Sequence, residues 1–266
     1  MSNTVTNIPD RPGPIHLLWG VIARPGRTFK TIADRGRRSW WLPAVLVVAL
    51  TVAFALASGP IRTRVTREEM QAAQEEMAER MGDQLSPEDL ERAQAITASP
   101  LITIVFPAVS SVVGQVMGWL IWAGALYLAS MALGGRSSFA QIFPVTVWAG
   151  LPHAVRSLLQ IAYVLTTDQL ITNPGLSGLL QQQGSMADAI ASPPGTGEIL
   201  LRALLSRVDL FLIWHLILLV IGVAAAGRLS GRKSLIIVLV VWLLLTALSL
   251  IPSLVGGLFT ASTMAG

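Results

Sequence analysis

Cysteine is absent from the 266 residues, which excludes disulfides, thiol nucleophiles and cysteine-ligated metals. Histidine occurs three times, at His16, His153 and His215, and no two stand at the His-x-x-x-His spacing of a helical metal site. Charged side chains make up 13% of the chain, where a soluble domain of this length would carry about a quarter. Lysine is nearly missing, with Lys30 and Lys233 the two exceptions among 19 basic residues. No Gly-rich phosphate loop with its Lys and Ser/Thr occurs, nor a Gly-x-Ser-x-Gly elbow. Paired intramembrane carboxylates and Ser/His or Glu-x-x-His arrangements are wanting as well. An enzyme is therefore not expected, and no catalytic, cofactor or metal residue is assigned.

What is present is apolar. Hydrophobic residues are 53% of the chain, and its mean hydropathy is +0.62. A bilayer crossing takes roughly 20 such residues in a helix. Five runs qualify, at about 41–58, 105–133, 139–166, 208–227 and 235–259. The reading is an all-α, polytopic integral membrane protein built as a five-helix transmembrane bundle. Residues 1–40 form a tail and a basic amphipathic segment, and 41–266 form the membrane domain with polar insertions at 59–100 and 167–207. The first insertion reads as a helical hairpin, Arg67–Met81 and Pro87–Thr97, lying outside the membrane. Met70, Ala73, Met77 and Met81 line one face of its first arm. The apolar run 15–23 is too short for a cleavable signal and ends in Arg24-Pro25.

Charge asymmetry sets an orientation. Seven Arg/Lys precede the first run, Arg136 lies in the turn before the third, and Arg228, Arg232 and Lys233 lie before the fifth. These eleven fall on one side. The 59–100 insertion carries five Arg against nine acids, and 167–207 carries two Arg against three acids. Positive charge stays in the cytoplasm, so the N-terminus is expected inside and the C-terminus outside, in a bacterial cytoplasmic (inner) membrane. The pI of about 10.3 follows from these flanking arginines, and no nucleic-acid partner is expected. The 15–40 segment, with Trp19, Trp40 and Trp41 among its arginines, suits an interfacial helix. It acts as a basic stop that sets orientation, with binding of anionic lipid as the sharper alternative.

The chain is organised around Gln141–Tyr163, an apolar stretch that nevertheless holds Pro144, Pro152, His153, Arg156 and Gln160. Polar atoms at that depth are tolerated only where protein or cavity water satisfies them. At 100° per residue Arg156, Gln160 and Tyr163 share a line, with Trp148, Pro152 and His153 beside it. The helical rise brings Arg156 level with Asp209 at the start of the next run, and His153 level with His215. Arg156 and Asp209 are the expected intramembrane polar pair, with His153, His215 and Gln160 as secondary candidates. Asp209 and His215 stand about 120° apart around their helix, so one site holding all four is not expected. Ser110, Gly114 and Gly118 form small-xxx-small steps, expected at a close helix–helix contact. Ala49, Ala53 and Ala57 read as a similar small face on the first span.

Several short motifs carry a resemblance. They are Arg24-Pro25-Gly26-Arg27-Thr28-Phe29 before the first span and Gly134-Gly135 with Phe139 ahead of the third. Gly150-Leu151-Pro152 lies within the third, and Asp209-Leu210-Phe211-Leu212-Ile213-Trp214 opens the fourth, with Gly222 beyond. In these and in its five-span layout the chain resembles the bacterial branch of the Ypt/Rab-GTPase-interacting protein (YIP) family. The resemblance implies a five-helix membrane bundle with a cytoplasmic N-terminus. Eukaryotic relatives are adaptors of membrane traffic that engage small GTPases. Their Asp-Leu-Tyr-Gly-Pro signature is missing here, so GTPase binding is not carried over, and for bacterial members the resemblance implies no established activity.

Two functions follow from these readings. The favoured one is a non-enzymatic membrane adaptor or organiser, acting through the lipid bilayer, through unidentified membrane or peripheral proteins, or as a homo-oligomer. The alternative is a transport component, permease-like or an accessory subunit, using the polar groups of the bundle. A simple structural pairing of Arg156 with Asp209 fits the first.

Overall fold

The structure, a computed structural model, describes residues 13–35, 39–81, 99–171, 173–180 and 195–264. These are almost wholly helical. Two short helices come first, α1 (Pro14–Ala23) and α2 (Pro25–Arg35), followed by the long α3 (Trp41–Met81). A π-turn at Leu101–Val105 runs into α4 (Phe106–Ala132), then α5 (Phe139–Ala149) and α6 (Leu151–Thr167). A 3₁₀ turn at Gly175–Leu179 precedes α7 (Thr196–Leu205), α8 (Leu210–Gly227) and α9 (Gly231–Met264). Among the described residues four helical stretches are long and apolar enough to cross a membrane: Trp41–Glu68, Leu101–Ala132, Leu210–Gly227 and Gly231–Ile251.

The expected third span is not one helix. It breaks at Gly150 into pieces of 11 and 17 residues, neither reaching the length of a spanning helix alone. The cause is local. Pro152 has no N–H to continue the ladder and sits instead in the first turn of α6, where that loss is harmless. The His153 N–H bonds to the Gly150 carbonyl. The Ala149 carbonyl, its partner in an unbroken helix, is thereby set free.

The first span departs from expectation in the opposite way. The apolar run is placed at about 41–58, yet α3 continues through Pro60 to Met81, 41 residues in all and about 60 Å at 1.5 Å per residue. Hydroxyls add side-chain bonds to the backbone on either side of the proline. The Ser58 Oγ donates to the Phe54 carbonyl at 2.8 Å, and the Thr63 Oγ1 donates to that of Gly59 at 3.0 Å. Packing then holds the turn. Thr63 and Thr103 hydroxyls lie 2.7 Å apart, and a Cβ on Gly59 would come within 2.6 Å of Ile104. The first arm of the expected hairpin is thus a continuation of the first span. The second arm, 87–97, lies outside the described residues, as do the side chains of Met70, Ala73, Met77 and Met81. On the Ala49/Ala53/Ala57 face, Ala49 and Ala53 are exposed and Ala57 is half-buried, while Ala44, Val47, Ala55, Ser58 and Ile61 are among the buried positions of α3.

The second span opens with the π-turn, ahead of Pro107. The wider turn ends with the Phe106 N–H on the Leu101 carbonyl and leaves Pro107 in the first turn of α4.

The N-terminal segment is more than interfacial. Leu17 and Val21 of α1 and Phe29, Ile32 and Ala33 of α2 are buried in the main core. There they meet Ile142, Val145 and Trp148 of α5 and Leu219 and Val223 of α8. Gly222 makes the fit possible, because a Cβ there would stand 2.3 Å from Val145 Cγ1 and 3.1 Å from Phe29 Cδ1. The Trp148 indole donates to the Ser39 carbonyl at 2.8 Å, tying the approach of α3 to the same core. What α1 leaves outside is the stripe Ile15, Trp19 and Ile22, spaced by four and three residues on one face. This end of the bundle also collects the basic turns: Lys233 Nζ donates to the Leu133 carbonyl at 3.0 Å, and the Arg136 N–H donates to the Gly227 carbonyl.

Candidate functional site

The opposite half of the bundle is polar. A short connection at 206–209 leads into α8, and Asp209 is its N-cap: Asp209 Oδ1 accepts from the Leu212 N–H at 2.7 Å. Its other oxygen, Oδ2, lies 3.1 Å from Arg156 Nη1 on α6. The side chains are 28% and 14% exposed, so one carboxylate joins two helices and caps one of them. The capping was not anticipated from the sequence, although Asp just before an apolar run is its usual signal.

One step deeper, the carbonyl freed by the Gly150 break finds its partner. His215 Nδ1 lies 2.7 Å from the Ala149 oxygen. A carbonyl can only accept, so Nδ1 carries the proton and this tautomer is set by the broken helix. The His215 ring lies 4.8 Å from that of His153 and meets the edge of Trp122 at 5.7 Å, nearly perpendicular. The break therefore creates the acceptor, and α8 supplies the donor.

Between α4, α6 and α8 these groups surround a cavity of about 420 Å³. His153, Arg156, Ser157 and Gln160 of α6 line it together with His215 of α8. The α4 wall is Gly114, Gln115, Gly118, Trp119 and Trp122, with Thr146 and Gly150 at the base. Arg156, His153, His215 and Gln160 thus share one recess, with Asp209 bonded to Arg156 at its edge. The 120° separation on α8 does not keep them apart, because Arg156 reaches across to Asp209 while His153 turns to His215. Trp148 leaves the expected polar line: the break turns α5 so that this side chain enters the core. Tyr163 is exposed and Pro152 buried, both off the recess wall.

Gly114 and Gly118 are a correction. A Cβ on either would meet nothing within 4 Å, and Ser110 is exposed. Among the described residues nothing packs closely against this stripe; Gly114 and Gly118 are the low wall of the recess. The close approaches expected there occur at Gly59 and Gly222. Gln115, Trp119, Trp122 and Ser157 escaped the sequence reading. Only Gln115 carried a signal, as an amide inside an apolar span.

A model of the Yip1 domain matches residues 19–260. The chain belongs to the Yip1 family. The bacterial YIP resemblance seen in the motifs holds over nearly the whole chain. A curated bacterial relative, "Membrane protein YknW" of Bacillus subtilis (strain 168), is 22% identical over 244 residues, which cover 90% of each chain. No solved structure matches. Family membership and the run of apolar helices make this a multi-pass membrane protein. Among the described residues no three His, Asp or Glu side chains come together as a metal site, and the chemistry of the recess is hydrogen bonding and ion pairing.

Proposed function

We propose that this Yip1-family chain is a non-enzymatic adaptor or organiser of the bacterial cytoplasmic membrane. It crosses five times, with α5 and α6 together making the third crossing, the N-terminus inside and the C-terminus outside. The basic residues of the α2, Gly134–Ser138 and Arg228–Lys233 regions gather at one end of the bundle, in support of that orientation. The observation that carries the adaptor reading is that the recess is blind. Beyond Ala149 and His215 the bundle is filled by Ile142, Val145, Trp148, Leu219 and Val223, together with Phe29 from α2, all without solvent exposure. Close-packed cores of this kind hold no water-sized voids. A recess closed by such a plug can hold a partner group, whereas a permease must open a route past it.

The alternative, a transport component, makes a different prediction. Reconstituted in sealed vesicles, the chain should raise neither proton nor small-anion flux above empty vesicles. In mild detergent it should co-purify with a membrane protein at fixed stoichiometry. A flux abolished by Arg156→Leu would overturn the adaptor reading. Orientation is tested in this cysteine-free chain by Ser230→Cys and Thr167→Cys with an impermeant maleimide on intact cells. Only Thr167→Cys should label; the reverse pattern would sink the topology.

A further inference from the structure

The recess gathers several N–H donors. Trp119 is 5% exposed, its indole N–H faces the cavity, and a Cβ on Gly150 would stand 3.5 Å from that nitrogen. Among the described residues nothing accepts from it, and an indole N–H cannot itself accept. Arg156 uses one nitrogen on Asp209, while a guanidinium carries five N–H donors in a planar fork. The Gln115 and Gln160 amides face the same space. The recess wall includes no carboxylate among the described residues. N–H donors that line an accessible recess suit an occupant that brings oxygens.

Position narrows the occupant further. Arg156 is level with the first turn of α8, the end of a spanning helix, where lipid headgroups lie in the proposed topology. Gly114 and Gly118 leave the α4 side low, and beside them Val113, Met117 and Ile121 are exposed apolar side chains. An oxygen-rich head in the recess would therefore continue into an apolar tail along α4.

We propose that this recess binds the phosphodiester headgroup of a membrane phospholipid, with the Trp119 N–H and the free arm of Arg156 as donors and the acyl chains against α4. The proposal rests on the reading of the recess as a binding site and not a transport path. Fork-shaped guanidinium donors suit phosphate oxygens, and the indole supplies a second direction.

The test uses the full chain in a neutral detergent, with native mass spectrometry and thermal shift. Phosphatidylglycerol should be retained at one molecule per chain and raise the melting temperature. Diacylglycerol with the same acyl chains, lacking the phosphate, should do neither. Trp119→Phe keeps the ring and removes the N–H, and Gly118→Leu fills the recess from a position with open space; each should weaken retention about tenfold or more. Retention unchanged in Trp119→Phe overturns the proposal, even should Gly118→Leu fail to fold. Glycerol phosphate binding as tightly as the lipid would assign the site to free phosphate esters and overturn the lipid source. A dimer that Gly118→Leu dissociates, with no lipid retained by the parent, would hand the wall to a second copy. Vesicle flux reports separately on the transport alternative, so failure here leaves the adaptor reading standing.

Discussion

The two halves of the bundle are built on opposite terms. At the basic end α1, α2, α5 and α8 close on one another so tightly that Gly222 has no space for a Cβ, and Phe29 and Ile32 are wholly enclosed. At the other end Gly114 and Gly118 face open space, and the side chains beside them are held by hydrogen bonds and an ion pair. The same residue type, glycine, serves contact in one half and vacancy in the other. Close packing is concentrated in the first half, and the proposed binding recess lies in the second. Substitutions that are severe at one end should be mild at the other.

The sharpest way to break that contrast is Phe29→Ala. Emptying a fully enclosed aromatic site costs about 3–5 kcal/mol, where an interfacial anchor helix would lose far less. Accumulation and detergent melting temperature should both fall steeply. A variant as stable as the parent would mean that α2 does not belong to the core.

Next come the polar ties. Arg156→Leu removes a charge-assisted bond worth about 1.5–3 kcal/mol. Asp209→Leu also removes the α8 cap, about 1 kcal/mol more, whereas Asp209→Asn keeps the cap and loses the charge. The expected order of melting temperature is Asp209→Asn above Asp209→Leu, with the Arg156→Leu/Asp209→Leu double variant less damaged than the sum of its singles. Strict additivity would mean that the two do not interact.

Overpacking offers a matched comparison. Gly222→Val should cost about 1–3 kcal/mol, while Gly118→Leu should leave melting temperature within the scatter of surface changes, about 0.5 kcal/mol. Equal losses would erase the distinction between the two ends. Smallest of all is Arg64→Ala. Arg64 Nη1 lies 2.8 Å from Asp168 Oδ2, but both side chains are more than half exposed, so solvent screens the pair. No melting shift is expected, and a clear one would reveal a stronger tie between α3 and α6.

The sequence alone was enough for the helical class, the placement of the apolar runs and the depth match of Arg156 with Asp209, because each follows from hydropathy and a constant helical rise. Basic turns could be counted without a structure for the same reason. It was not enough for what depends on neighbours. Pro60 and Pro152 have the same missing N–H, yet one is carried through a helix by hydroxyls and by Ile104 and Thr103, while the other starts a new helix. The small residues of α4 and those at Gly59 and Gly222 look alike in one dimension, and only the facing side chains separate a contact from a wall. Trp119 and the freed Ala149 carbonyl became visible as functional groups only when tertiary packing left one without a partner and gave the other to His215. Local rules fix what a segment can form; whether its polar atoms are satisfied depends on what the rest of the chain brings to them.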